Sequence, residues 1–265
     1  AIKRYPIGSY KWNTTEYQWP IDDIKAKVIS KPQRGRGYKV YNLTKFAKFV
    51  MANGGWLYYK LPGVYHAAVK KSILDQIKRK NGGTLFLTTQ PDLFMAMAVP
   101  EFCKTFVKLP DEVTIQGRSA KSNGGSSISK VGKDTVSQYI KEYGDYKIDP
   151  ALNGVPYEMS WFMEPFIVAQ KIFDVYSNSP FNYSAMWAFA TRIGFVDLRY
   201  IWHNYKLFPS HHNFSFFSFG LRHIIHLVIK LRREIIVKSR KLYYMQDEIP
   251  DNIYTFSRYL EKLTK

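Results

Sequence analysis

The stretch ANGGWLYYKLPG, residues 52–63, places Asn-Gly-Gly between an apolar helical pattern and a run of aromatic residues. Before it, apolar residues recur every three or four positions, at Leu43, Phe46, Val50 and Met51. This spacing predicts a helix, and Asn42 is a suitable N-cap for it. Glycine readily takes the left-handed conformations that end helices, and WLYYKL then predicts a strand stopped by Pro62.

The same order of features returns over residues 67–92, where AAVKKSILDQIKRK leads into a second Asn-Gly-Gly, then TLFLTT, then a proline. Two such helix-NGG-strand units predict a layered α/β region over residues 38–150. A third Asn-Gly-Gly, at 123–125, follows no helical pattern and lies in a basic loop rich in glycine and serine. A further helix is predicted over 133–144.

Residues 1–37 mix aromatic residues, proline and lysine without a helical or strand period. Through residue 50 the chain holds 11 basic and 3 acidic residues. We therefore predict that residues 1–37 form an extended basic arm that lies on an anionic neighbour.

Beyond the candidate linker at 146–156, residues 151–265 are predicted to be mainly helical, which makes the protein α+β overall. The clearest element is a long amphipathic helix near the C-terminus. Its apolar residues step by three and four, which favours packing along a partner helix. This partner-helix seam consists of Phe217, Leu221, Ile224, Val228, Leu231 and Ile235.

The composition favours polyanionic partners and large buried interfaces. The chain holds 39 Lys and Arg against 21 Asp and Glu, a net charge of +18, and 17% of its residues are aromatic. The charge does not choose among RNA phosphate, anionic lipid and an acidic protein surface. The predicted anion-binding residues are Arg34, Arg36, Lys39, Arg118, Lys121, Lys130, Lys133, Lys230, Arg232, Arg233, Lys238, Arg240 and Lys241.

No pattern in the sequence indicates catalysis. The Ser-His-Asp, HExxH and GxSxG patterns are absent, and SISKVGKD lacks both the first glycine and the final Ser or Thr of a phosphate-binding loop. We expect no enzymatic activity, no cofactor and no small-molecule substrate. His223 and His226, three residues apart on one predicted helix, are weak candidates for a metal or haem site. The single cysteine, Cys103, excludes an intramolecular disulfide.

Three stretches come close to transmembrane character, but each carries internal charge: 158–176, 184–202 and 213–231. Together with the aromatic and basic composition, they lead to the main functional hypothesis. The protein is a non-catalytic subunit of a large mitochondrial inner-membrane complex, such as a respiratory-chain or ATP synthase assembly, at the membrane or in the matrix. One alternative is a ribosomal or mitoribosomal protein that binds rRNA through its arm and C-terminal helix. A second is a metal- or haem-binding protein that uses the two histidines.

Overall fold

The computed structural model describes residues 7–19, 27–28, 37–119, 141–142, 144, 146–152, 155, 157–193, 196–204 and 215–239. The chain divides into two compact units. The first takes its described residues from 1–11, 38–109 and 147–240, and the second takes them from 12–37 and 110–146. The predicted division at residues 37 and 150 stays a prediction.

The fold is α+β, as predicted, and its five described strands belong to one sheet. The strands are β1 Ser9–Gln18, β2 Lys27–Val28, β3 Lys39–Asn42, β4 Ala67–Val69 and β5 Thr105–Arg118. Their order is β2-β1-β5-β3, with β4 also pairing with β1. The start of β5 pairs antiparallel with β3, and Lys108 lies opposite Lys39.

The prediction of an extended arm is wrong for Ser9–Gln18, because this segment is a strand of the protein's own sheet. Its Tyr10 and Tyr17 are buried, and aromatic and β-branched residues favour such half-buried strands. Within the second unit, Trp12 Nε1 donates a hydrogen bond to Thr114 Oγ1 at 2.8 Å. The chain itself therefore provides the surface that the prediction assigned to a neighbour.

Seven helices are described. They are α1 Leu43–Ala52, α2 Lys71–Lys80, α3 Pro91–Phe102, α4 Tyr157–Ile172, α5 Tyr183–Ile193, α6 Leu198–Asn204 and α7 Phe216–Ser239. Helix α3 lies at the centre of the first unit, where it packs against α1, α2 and α4. Its residues from Leu93 to Pro100 are all buried. A helix that is apolar on every side is stable only inside a core, so α3 holds the first unit together.

Helix α1 forms as the sequence predicts. Asn42 is its N-cap, and the side-chain Oδ1 accepts a hydrogen bond from Lys45 N at 2.8 Å. Leu43, Val50 and Met51 are buried on one face, with Ala47 between them.

Replacing Asn42 with alanine is expected to lower the free energy of unfolding by about 1 kcal/mol, because the Lys45 amide loses its acceptor. Asn42→Asp keeps an oxygen at the same place and should retain most of the stability. Urea denaturation followed by circular dichroism measures both variants. Equal losses for alanine and aspartate would contradict a capping role.

The helix-ending role of both Asn-Gly-Gly motifs is confirmed, but the strands predicted after them are wrong. WLYYKL instead contains a short 3-10 turn at Tyr58–Lys60, preceded by Leu57 in the left-handed region at φ 71°. TLFLTT contains no strand either. The ring of Tyr58 packs edge-on against Phe162 of α4, with centroids 5.6 Å apart. Packing against helices thus replaces the strand pairing that these aromatic residues suggested.

Helices α4 and α5, which contain most of the stretch 158–176 and the first half of 184–202, are core helices of the first unit. Helix α4 buries Met159, Met163 and Phe166, and α5 buries Met186 and Trp187. The apolar residues of α4 and α5 are therefore covered by the protein's own chain, whereas Leu198 and Trp202, at the end of the stretch 184–202, are exposed.

The internal charge of α4 has a local structural role. The buried carboxylate of Glu164 accepts a hydrogen bond from Asp149 N at 3.0 Å through its Oε1 atom. Lys171 in turn contacts Asp149 at 2.6 Å. Among the residues described, no helix has the combined length and apolarity to span a membrane.

Candidate interaction surface

Helix α7 belongs to the first unit and packs along α5. The ring of His223 stacks on buried Phe219, and its Nδ1 lies 3.1 Å from Thr191 Oγ1 of α5. Arg222 Nη1 donates a hydrogen bond to Asn53 Oδ1, 2.9 Å away in the first Asn-Gly-Gly motif. These contacts fix which side of α7 faces inward.

The opposite side of α7 is apolar and exposed. Its large side chains have exposed fractions from 43% for Leu227 to 82% for Phe217. We define the α7 face as Phe217, Leu221, Ile224, Ile225, Leu227, Val228 and Leu231. It includes five of the six residues of the predicted seam, whereas the side chain of Ile235 is outside the described set. In the part of the chain that the structure describes, these five seam residues are exposed.

The α7 face is broader than the seam of a two-stranded coiled coil. Phe217, Leu221, Ile224, Val228 and Leu231 are separated by alternating steps of four and three residues. Ile225 and Leu227 flank this seam at positions that coiled-coil helices usually fill with charged residues. An apolar arc of this width is typical of a helix that is packed among several others.

Helix length also favours an external partner. At about 1.5 Å per residue, the 24 residues of α7 extend about 36 Å, whereas the 11 residues of α5 extend about 16 Å. Helix α5 therefore cannot accompany α7 along its whole length. Large apolar surfaces left in water are unfavourable, and in soluble proteins they mark interaction sites.

Exposed aromatic residues extend the apolar surface beyond α7. Trp202 of α6 is largely exposed, and its ring lies 5.5 Å from that of Phe216 at the start of α7. Leu198, one turn before Trp202, is exposed as well. Tryptophan and phenylalanine are enriched at the centres of protein interfaces.

The predicted metal or haem site stays a prediction. His223 is held by Thr191 and Phe219, and the side chain of His226 is not among those described. In the described part of the chain, no group of three or more His, Cys, Asp or Glu side chains could hold a metal ion.

The structure describes only some of the predicted anion-binding residues. Lys39 is exposed in β3, and Arg118 ends β5. Four others belong to α7, but their side chains are not among those described: Lys230, Arg232, Arg233 and Lys238. The remainder fall outside the described residues: Arg34, Arg36, Lys121, Lys130, Lys133, Arg240 and Lys241. The third Asn-Gly-Gly and nearly all of the helix predicted over 133–144 also fall outside the described residues.

A group of titratable residues around Lys11 was not predicted from the sequence. Lys11 Nζ donates a hydrogen bond to Tyr65 O at 3.3 Å. Burial lowers the pKa of Lys11 to about 8, although attraction by Asp92 opposes this shift. Burial, followed by repulsion from Lys11, lowers the pKa of His66. These residues come from three separate parts of the chain, so no local pattern signals the group.

Lys11 is expected to make stability depend on pH in the alkaline range. Between pH 8 and 10.5 the unfolded chain still binds a proton that folded Lys11 has released, so stability rises with pH in this window. Relative to Lys11→Met, the wild type should gain about 3 kcal/mol between pH 7 and 10.5. Urea denaturation of both proteins across this range measures the difference. A difference that is independent of pH would contradict the lowered pKa.

Comparison of the chain with protein-family models, with curated proteins and with solved structures finds no match in any of the three.

Proposed function

We propose that the protein is a non-catalytic accessory subunit that docks into a larger assembly through the α7 face. The observation that carries this proposal is the orientation of α7, with Arg222 and His223 turned inward and seven large apolar residues turned outward. Full burial of a large apolar side chain contributes roughly 1.5–3 kcal/mol. Covering the remaining exposed part of seven such residues gives a partner substantial binding energy.

The spacing of the α7 face favours one or more partner helices as the occupant. Alternating steps of four and three residues form a stripe that another helix can follow, and the flanking Ile225 and Leu227 widen it for a second contact. The aromatic extension at Trp202 and Phe216 supplies large anchors at one end.

We further propose that the assembly is an inner-membrane complex of an organelle, with a mitochondrial respiratory-chain or ATP synthase complex as the specific hypothesis. The support comes from composition, because the net charge of +18 favours association with anionic membrane surfaces and acidic subunits. An exposed apolar helix face also suits a subunit at the edge of a membrane complex. Because α4 and α5 are buried in the protein's own core, the α7 face is the apolar helical surface left for such a complex among the described residues.

Native purification in mild detergent, with and without nuclease, tests the proposal. The tagged protein should elute with other subunits at a mass well above its own, and mass spectrometry should identify electron-transfer or ATP synthase subunits in both samples. Release by nuclease, or co-purification with ribosomal proteins, would contradict the membrane-complex proposal. Elution as a free chain in both samples would contradict docking altogether.

A further inference from the structure

The pairing of β3 with β5 places two like charges directly opposite each other. Lys39 pairs with Lys108, and two residues along, Tyr41 pairs with Phe106. Residues opposite each other, and residues two apart on one strand, share a face of a sheet. One face of this ribbon therefore carries a lysine pair beside an aromatic pair.

The lysine pair is unfavourable without a bound anion. Like charges directly opposite each other destabilise a strand pair. Burial lowers the pKa of Lys108, and repulsion by Lys60 and Lys39 lowers it further. Lys60 belongs to the 3-10 turn after the first Asn-Gly-Gly motif, so three separate segments bring cations to this place. A phosphate group among them would relieve their repulsion.

The aromatic pair adds a flat surface next to these cations. The rings of Tyr41 and Phe106 are stacked, with centroids 5.2 Å apart and an angle of 19° between their planes. Phe106 is buried beneath Tyr41, whereas 39% of Tyr41 is exposed. A supported and partly exposed ring of this kind is a platform on which another flat group can stack.

We propose that Lys39, Tyr41, Lys60 and Lys108, the β3–β5 cation surface, bind a single-stranded nucleic acid. The lysines contact backbone phosphates while an unpaired base stacks on Tyr41. Phosphate from any source would satisfy the lysines alone, but the adjacent stacked ring favours a ligand that also carries bases. The bases of a duplex are already stacked on each other, so an unpaired strand fits this surface better.

Fluorescence anisotropy with the full chain and a fluorescein-labelled 12-nucleotide oligo(U) tests this proposal. Tyr41→Ala is expected to weaken binding by at least tenfold, whereas Tyr41→Phe keeps the ring and should stay within about twofold of wild type. Lys39→Gln combined with Lys108→Gln should reduce the slope of log affinity against log salt by about 1.4, because two phosphate contacts are lost. Circular dichroism verifies that each variant is folded.

Lys78→Gln combined with Arg79→Gln removes the same charge from exposed positions on α2 and serves as the matched control. It should leave both the affinity and the salt slope close to wild type. Equal losses in the two double variants would overturn the proposal, because net charge alone would then explain binding. Absence of oligo(U) binding, or lysine-dependent binding only to cardiolipin vesicles, would overturn it as well. If Tyr41→Ala does not fold, loss of binding by Tyr41→Phe would overturn the stacking role.

Discussion

Replacing Gly54 with alanine is expected to lower the free energy of unfolding by about 3–5 kcal/mol, the largest effect of any single substitution proposed for this chain. Gly54 has φ +63°, a left-handed conformation that itself costs about 1–2 kcal/mol for a residue with a Cβ atom. The added Cβ would also lie 2.3 Å from the backbone nitrogen of Met186 in α5. Backbone atoms of a buried helix cannot move aside as a flexible side chain does.

Gly82 in the second Asn-Gly-Gly provides a matched control, because it has φ +68° but no atom within 4 Å of its Cβ position. Gly82→Ala should therefore show only the backbone penalty, about 1–2 kcal/mol. Urea denaturation followed by circular dichroism compares the two variants. Equal losses would show that the first Asn-Gly-Gly motif is not in tight contact with α5. The comparison separates the role of glycine in ending a helix from its role in close packing.

The second large effect is expected from replacing Leu221, Ile224 and Val228 together with glutamine. These residues lie on the α7 face, and glutamine is at least as favourable in a helix as isoleucine or valine. The free energy of unfolding should change by less than about 1 kcal/mol, because exposed side chains contribute little to it. Association should change greatly, since the centre of the apolar face becomes polar. The wild-type chain should bind a hydrophobic dye and self-associate, whereas the triple variant should do neither.

Val113→Gln is the matched control, because Val113 is a similarly exposed apolar residue on β5. It should leave dye binding and association unchanged. Analytical ultracentrifugation measures the association of all three proteins. A triple variant that unfolds, or one that associates like the wild type, would contradict the role assigned to the α7 face.

The sequence predicted the elements that depend on local signals. Asn42 and the two Asn-Gly-Gly motifs mark helix ends because capping and left-handed glycine act within a few residues. The spacing of the α7 seam was also visible, because it repeats over several turns. Its exposure was not predictable, since a sequence pattern cannot show whether the chain itself covers a helix face.

Elements that depend on distant contacts were missed or misread. Helix α3 has no polar face, so it lacks the periodicity that identifies an amphipathic helix. The aromatic residues after Gly55 resemble a strand, but they pack against α4, which lies about a hundred residues later. The prediction for residues 1–37 failed at β1 because two of its strand partners, β4 and β5, are remote in the sequence.

Only part of the β3–β5 cation surface could be predicted from the sequence. Lys39 and its neighbouring aromatics stood out as a basic and aromatic stretch, but nothing in the sequence places Lys108 and Phe106 beside them. Antiparallel pairing brings them opposite Lys39 and Tyr41. Long-range strand register, rather than composition, thus creates the lysine pair.

The most direct test of the docking proposal is the native mass of the complex that contains the protein. Tagged wild type and the Leu221→Gln/Ile224→Gln/Val228→Gln variant would be produced in the cells that naturally make the protein. After mild detergent extraction and nuclease treatment, native gels would then be probed for the tag. The wild type should migrate in a large complex and the folded variant as a free chain. A variant that stays in the complex as fully as the wild type would show that the α7 face is not the docking surface.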